Sequence, residues 1–251
     1  MTSLLYANIV TNYMQEFKVK LTDKRQEASG TKTFLFEKPK GFEYIAGQYA
    51  YFTLPELKLP DPRGKIRHFT LSSSPTEDYL SITVRMREES GYKTTLDSLP
   101  LGAKIDFRGP TGDFVIDEKD TRTQVMIAGG IGITPYRSII KDVSDRALTS
   151  SIHLIYANSR VEEITFKTEL DEISKSNPNI KVTYFVSEPE PNWQGEKGRI
   201  SAPSLSLLTT DYSLPVIWLC GPPVMVQALE EVLENLKIPQ ERIKIEKFSG
   251  Y

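Results

Sequence analysis

Cysteine and histidine are scarce in this chain. Its 251 residues include one cysteine, Cys220, and two histidines, His68 and His153. A single cysteine cannot close an intramolecular disulfide, and it cannot ligate an iron–sulfur cluster of the four-cysteine type. One cysteine and two histidines are also a poor set for structural zinc, so no metal is expected. No apolar run approaches the roughly 18 residues that a membrane span needs. The first ten residues, MTSLLYANIV, place no positive side chain ahead of their short apolar run. That is a poor secretory signal, and the cytoplasm is the expected address. Charge of one sign is missing too, with 31 Lys plus Arg against 33 Asp plus Glu. This balance argues against general nucleic-acid binding, though it leaves room for a local basic patch facing an acidic partner protein. No internal repeat and no low-complexity segment stands out.

The remaining composition, 39% hydrophobic and 25% charged, is that of a soluble globular protein long enough for two domains. Residues 1–13 have no clear period. From Phe17 the chain reads as strands: Phe17–Leu21, Thr31–Phe36, Gln48–Leu54, Ile66–Ser73, Tyr79–Arg85 and Ala103–Arg108. The turn Ala28-Ser29-Gly30, the proline-rich Pro55–Gly64 connection and a short helix or turn over Gly91–Leu101 separate them. About six strands with almost no helix predict a closed or nearly closed antiparallel barrel.

Near residue 117 the character changes. Gln124–Ala128, Ile152–Tyr156, Lys181–Val186 and Val216–Leu219 are short apolar runs without alternation, as expected of strands buried on both faces. Helical stretches separate them at Pro135–Val143, Thr165–Ser174, Pro203–Leu208 and Val224–Leu236. The expectation is a barrel over residues 1–117, followed over 118–251 by an α/β doubly wound domain with a parallel sheet.

Two stretches carry chemistry. In Arg67-His68-Phe69-Thr70-Leu71-Ser72-Ser73, a cation, an aromatic ring and three hydroxyls share one strand. Arg67 suits a phosphate, Phe69 suits a planar ring, and Thr70 offers a hydrogen bond to a ring heteroatom. An ordinary barrel strand with Arg67 in water and Phe69 in the core fits the same letters. His68 points to the face opposite Arg67 and Phe69, and His153 reads as a plain strand residue. The second stretch runs from a strand into Gly129-Gly130-Ile131-Gly132-Ile133-Thr134-Pro135. Glycines let backbone approach a pyrophosphate, and the helix that follows points N–H groups at the anion. Pro135 suits the first helical position. A tight strand–helix turn without a ligand is the alternative. Cys220-Gly221-Pro222-Pro223 occupies the matching place after a later strand, where a lone Cys is usually a small buried hydrophobe.

Taken in order, these pieces resemble the ferredoxin–NADP reductase family of flavoproteins, which includes cytochrome b5 reductases and the reductases of oxygenases. The likeness spans about residues 15–248. It rests on Gly47-Gln48-Tyr49, Arg67-x-Phe69-Thr70-x-x-Ser73, Gly91-Tyr92-Lys93-Thr94, Gly109-Pro110-x-Gly112-x-Phe114, the 129–135 glycines, Cys220-Gly221-Pro222 and Glu246-x-Phe248. The resemblance implies that Arg67 pairs with the FAD pyrophosphate, that Phe69 packs on the isoalloxazine and that Thr70 bonds near N5. It implies flavin contacts from Ile82, Val84 and Arg85, and phosphate contacts from Thr94 and the amides after Gly91. It gives the NAD(P) pyrophosphate to Gly129, Gly130, Gly132 and Thr134, and sets Cys220 and Glu246 near the nicotinamide. Phe248, as the stacking aromatic, and Tyr251, as a tail that reaches the flavin, complete the set.

The implied activity is hydride transfer from NAD(P)H to FAD, then single electrons to a separate protein such as a ferredoxin or flavodoxin. Such chemistry belongs to the cofactors, which agrees with the absence of an acid–base constellation. The missing cysteines exclude a built-in plant-type cluster and argue against the cluster-bearing subunit of dihydroorotate dehydrogenase. Ser159, Arg160 and Arg199 tilt the nucleotide slightly toward NADP(H), while Glu188 opposes a 2′-phosphate. Reduction of free flavin or ferric complexes, service as an oxygenase component, and a flavin-binding regulatory subunit are the alternatives.

Overall fold

The computed structural model describes residues 14–209 and 215–248. The sequence-predicted tail residue Tyr251 lies outside them. The first half is a six-stranded antiparallel sheet of β1 (Gln15–Ala28), β2 (Thr31–Glu37), β3 (Tyr49–Thr53), β4 (Ile66–Thr70), β5 (Tyr79–Arg85) and β6 (Lys104–Thr111), in the order β4-β3-β6-β1-β2-β5. β1 is longer than its alternation predicts. Its first half pairs with β6 and its second half with β2, with register shifts at Leu21/Asp23 and Gln26/Ala28. Such irregularities bend a strand, and bending lets one strand serve both sides of a curled sheet.

The two edge strands come back together. Beyond β4, the Ser72 amide donates to the Ser81 carbonyl of β5 at 2.8 Å. The buried Ser72 hydroxyl lies 2.9 Å from those of Ser81 and Thr83. The barrel is thus nearly closed, and Ser73, a ligand candidate in the sequence, lies in its seam, where its hydroxyl accepts from the Ser81 amide. Phe34, Phe36, Phe52, Leu80 and Phe107 fill the interior. Between β5 and β6 lies helix α1 (Gly91–Ser98), capped by the Ser90 side chain.

The second half is a six-stranded parallel sheet of β7 (Gln124–Gly129), β8 (Ile152–Asn158), β9 (Ile180–Val186), β10 (Glu196–Lys197), β11 (Val216–Gly221) and β12 (Ile243–Lys247), in the order β10-β9-β8-β7-β11-β12. Each face carries its own core. Met126 and Ala128 of β7 turn to the face covered by α2 (Ile133–Asp145) and α3 (Lys167–Ser176), and Val125 and Ile127 to that of α4 (Ala202–Thr209) and α5 (Pro223–Asn235). This two-sided burial explains the unalternating apolar runs. Two strands escape the sequence reading. β10 has only two residues, and β12 carries lysine and glutamate because it is an edge strand. Pro135 is the third residue of α2 rather than its first; the position costs nothing, because first-turn amides have no intrahelical acceptor.

The halves are joined through a buried cation. Arg137 of α2, 9% exposed, meets two carboxylates. Its Nη2 donates to Glu77 Oε1 at 3.0 Å across the interface, and its Nε to Glu169 Oε2 at 2.8 Å within its own half. Its Nη1 also donates to the Ser72 carbonyl at 3.0 Å, beside Ser138 Oγ donating to the Ser73 carbonyl at 2.6 Å. Arg85 and Glu163 add a further pair at 2.9 Å.

Removing Arg137 would leave two acids facing each other in a desolvated seam. Arg137→Met should therefore cost about 3–5 kcal/mol of unfolding free energy. Urea denaturation of the variant beside the parent checks this, and a loss within experimental error would show that the seam holds without the cation.

Candidate functional site

A cleft of 340 Å³ opens where the barrel edge meets the carboxyl ends of the parallel strands. That is where ligands bind in open α/β sheets. The barrel contributes Tyr49, Arg67, His68, Phe69, Thr70 and Thr83–Arg85. The second half contributes Ile131 and Thr134 from the glycine turn, and Glu246–Phe248 from the end of β12. The cleft therefore gathers Arg67, Phe69, Thr70, Val84, Arg85, Thr134, Glu246 and Phe248 from four separated stretches of the sequence.

Arg67 is held firmly. Its Nη1 donates to the carbonyls of Arg63, Gly64 and Ile66 at 2.6, 2.8 and 2.7 Å, and its Nη2 meets Asp61. Its guanidinium also lies 5.1 Å from the Tyr92 ring centroid. Phe69 packs between Phe52 and Tyr92. Phe69 abuts the core, as an ordinary barrel strand would have it, and still borders the cleft, whereas Arg67 is largely buried rather than in water. His68 corrects its expectation. β4 is an edge strand, so its residues border the cleft from both faces, and His68 lies against Tyr49 and Tyr51 at centroid distances of 5.4 and 5.9 Å. His153 is buried, with its Nε2 2.9 Å from Thr183 Oγ1, in keeping with a plain strand residue.

Several expected residues lie elsewhere. Ser73 is fully buried; its hydroxyl accepts from the Ser81 amide at 3.0 Å and meets Tyr44 Oη at 2.9 Å. Ile82 points into the barrel core, leaving Thr83–Arg85 at the cleft. Thr94 is outside the cleft wall, and the amides after Gly91 are occupied: Tyr92 N–H by Asp61, Lys93 N–H by Ser90 Oγ, Thr94 N–H by the Ser90 carbonyl. Ser159, Arg160 and Arg199 are on the surface, where Arg160 Nε pairs with Glu188 at 3.1 Å.

The glycines act through close approach. A Cβ on Gly132 would lie 2.3 Å from the Cys220 carbonyl oxygen, and one on Gly129 would lie 2.2 Å from Met225 Sδ. Only hydrogen side chains let β7, β11 and the start of α2 meet. Gly130 has φ of +51°, and Gly221 packs on Gly129. Pro222 is exposed ahead of α5. Cys220 is wholly buried behind this turn rather than in the cleft wall, and burial followed by the Glu246 charge pushes its thiol well up.

Glu246 does reach the cleft. It pairs in register with Cys220, its Oε2 is buried with no hydrogen-bond partner, and burial aided by Asp113 raises its carboxyl to about 7. Residues that the sequence reading passed over are Tyr49, Asp61, Arg63, Arg87 and Lys93, all lining the cleft. Lys93 lies within Gly91-Tyr92-Lys93-Thr94, the segment whose threonine the resemblance implicates.

Two domain families match the chain. The oxidoreductase FAD-binding domain matches residues 18–116, and the oxidoreductase NAD-binding domain matches residues 126–231. A flavohemoprotein of Oceanobacillus iheyensis is 29% identical over 215 residues, covering 82% of this chain and 51% of that one. NADH-cytochrome b5 reductase 1 of Aspergillus terreus is 32% identical over 189 residues, covering 72% and 64%. The chain thus spans about half to two thirds of the length of these curated relatives. Among solved structures, the Amycolatopsis cytochrome P450 reductase GcoB superposes with a TM-score of 0.81 at 23% identity, covering 95% of this chain and 71% of that one. A ferredoxin NADP+ reductase from Neisseria gonorrhoeae with bound FAD and NADP gives 0.78 at 20% identity, covering 92% and 98%. At such identities these structures speak for the fold alone.

The Glu246 carboxyl makes a testable claim. Its folded value of about 7 lies above the ordinary 4.5, so its contribution to stability is fully present below pH 4.5 and fades as pH rises through 7. Glu246→Gln should abolish that fade and gain roughly 2–3 kcal/mol over the parent above pH 8. Urea unfolding at pH 5.5 and 8.5 measures it; equal pH dependence in both proteins would remove Glu246 as the cause.

Proposed function

We propose that the chain, which carries an oxidoreductase FAD-binding domain and an oxidoreductase NAD-binding domain, is a flavoprotein of the ferredoxin–NADP reductase type, an FAD-dependent NAD(P)H oxidoreductase that passes electrons to a separate redox protein. The observation that carries the reading is the joint cleft, in which a cationic barrel edge with an aromatic wall faces the glycine turn of a dinucleotide-type sheet. The residues fit a flavin nucleotide. Arg87 Nε and Glu246 Oε2 are buried at the cleft without partners, as expected of atoms that await a ligand or its water. When bound, the flavin would supply two-electron acceptance from a nicotinamide and one-electron release to the acceptor.

The protein's share is placement. Residues 1–117 form the FAD-binding unit in this reading and 118–251 the NAD(P)-binding unit. Arg67 neutralises phosphate with the N–H groups that its carbonyl and Asp61 contacts leave over. Phe69 and Val84 wall the ring system, Thr70 offers its hydroxyl at the ring edge, and the Thr83–Arg85 backbone lies alongside. Thr134 and the amides around Gly130–Gly132 face the second nucleotide. Phe248 guards the position where the nicotinamide must lie, and Glu246 holds a proton near neutral pH beside it. Keeping the reacting rings aligned and dry is most of the catalysis required.

Arg160 and Arg199 favour NADPH, tempered by the Arg160–Glu188 pair, which a 2′-phosphate would have to open. The electron acceptor is proposed as a small carrier. Ferredoxin and flavodoxin are the first to test. Cytochrome b5 joins them, because several matched relatives are named as its reductases. Among the described residues, no helix is long and apolar enough to cross a membrane.

Anaerobic mixing of the purified yellow protein with NADPH or NADH should bleach the flavin absorbance within the first turnover. A protein that stays yellow with both would be a flavin-binding module, not a reductase. Arg67→Ala should purify with markedly less flavin than the parent. Arg160→Ala should raise KM for NADPH by roughly five- to tenfold, with less effect on NADH. Equal changes would make Arg160 a bystander.

A further inference from the structure

A second contact between the halves lies apart from the Arg137 joint and falls on two consecutive residues. At the tip of the β1–β2 hairpin, just past the register shift at Gln26/Ala28, the Ser29 amide donates to the Glu162 carbonyl at 2.8 Å. Arg85, the last residue of β5, donates from Nη2 to Glu163 Oε1 at 2.9 Å. The hairpin tip and the end of β5 form one pad. The Met86 amide donates to the Gly30 carbonyl at 2.8 Å, Arg85 is the register partner of Thr31, and the Gln26 side-chain amide spans the turn to the Ala28 and Thr31 carbonyls. Gly30 closes that turn with φ of +67°, which a side chain would resist. A backbone bond and an ion pair on adjacent residues fix both the place and the direction of the segment they hold.

That segment leads back to the carboxyl end of β8. Val161–Glu163 is a single 3-10 turn, in which the Glu163 amide donates to the Arg160 carbonyl at 3.2 Å and the Ile164 amide to the Val161 carbonyl at 3.1 Å. Upstream, the Asn158 and Ser159 carbonyls accept from the Ser187 and Glu188 amides at 3.1 and 2.8 Å, which ties the start of the segment to the end of β9. Ser159 and Arg160 are exposed between these two anchors, one from each half of the molecule. Arg85 therefore works at both ends. Its backbone continues the cleft wall from Thr83 and Val84, and its guanidinium holds the turn after β8. The Arg85 and Glu163 side chains are 33% and 18% exposed, so water screens the pair only in part.

We propose that Glu163 is a positioning residue for the pyridine nucleotide. Clasped by Arg85, and next to the Ser29–Glu162 bond, it sets the Ser159-Arg160 segment against the barrel. The inference rests on the reading of the cleft as a site for FAD and NAD(P)H, and deepens it. The ligand chemistry is the adenosine end of a pyridine nucleotide, taken at the carboxyl ends of the parallel strands. Glu163 does not touch that ligand in this scheme. It acts through the turn that carries Arg160.

The test is calorimetric titration of the flavin-loaded, full-length protein with ADP-ribose and 2′-phospho-ADP-ribose. These keep the adenosine ends of NADH and NADPH and lack the nicotinamide, so ring stacking does not enter the result. Glu163→Gln should weaken the better-bound fragment by about three- to fivefold. In turnover it should raise KM for the matching nucleotide by a similar factor and keep kcat and flavin content within about twofold of the parent. Arg85→Gln should weaken the same fragment, and the double variant should be no weaker than the poorer single one, as two ends of one contact require. A role in stability alone would lower the urea midpoint of Glu163→Gln and leave fragment affinity unchanged. That result overturns the inference, as do single losses that add in the double variant. A parent protein that carries flavin yet binds neither fragment would overturn the pyridine-nucleotide reading itself, and this inference with it.

Discussion

The fold depends on the buried Arg137 joint. The candidate site has no complete wall in either half of the molecule. It exists because a guanidinium on the first helix after the glycine turn reaches across to Glu77 and the Ser72 carbonyl while its other edge is held by Glu169. A desolvated charge of this kind tolerates few alternative geometries, because any shift that breaks one pair strands an ion in low dielectric. The joint therefore acts more as a specification of angle than as a source of net stability. It sets Phe69 and Thr70 opposite Thr134 and Phe248.

Close packing at the glycine turn is the second constraint. β7, β11 and α2 converge at Gly129, Gly132, Cys220 and Gly221, with gaps that no Cβ fits. This convergence buries Cys220 and aligns it with Glu246 on the neighbouring strand. The carboxylate that results is half in the cleft and half in the core, and its affinity for a proton near neutrality follows from that position. A group with that property is fitted to exchange a proton or to donate a hydrogen bond near neutral pH.

Electrostatics divides the cleft. The barrel end gathers Arg63, Arg67, Arg87 and Lys93 with the carboxylates of Asp61 and Glu89, whereas the β12 end carries Glu246, whose carboxyl burial raises to about 7. A ligand with phosphates at one end and a flat uncharged ring system at the other matches that polarity.

The two-domain plan was legible from the chain because period and composition change near residue 117, and because each half repeats one kind of burial. The strands of the barrel and the apolar runs of the parallel sheet follow from local side-chain patterning. Edge elements were not legible in this way. β10 is too short to have a period, and β12 mixes lysine and glutamate with isoleucine because one of its sides faces water. Motif residues told which chemistry to expect, and Arg67, Phe69, Thr70, Thr134, Glu246 and Phe248 do meet in the cleft. Only the tertiary structure decided that Ser73 belongs to the barrel seam, that Cys220 lies behind the turn, and that Asp61 occupies the start of α1. These outcomes depend on which distant backbone groups claim a donor or acceptor first, and a sequence read along one dimension carries no record of that competition.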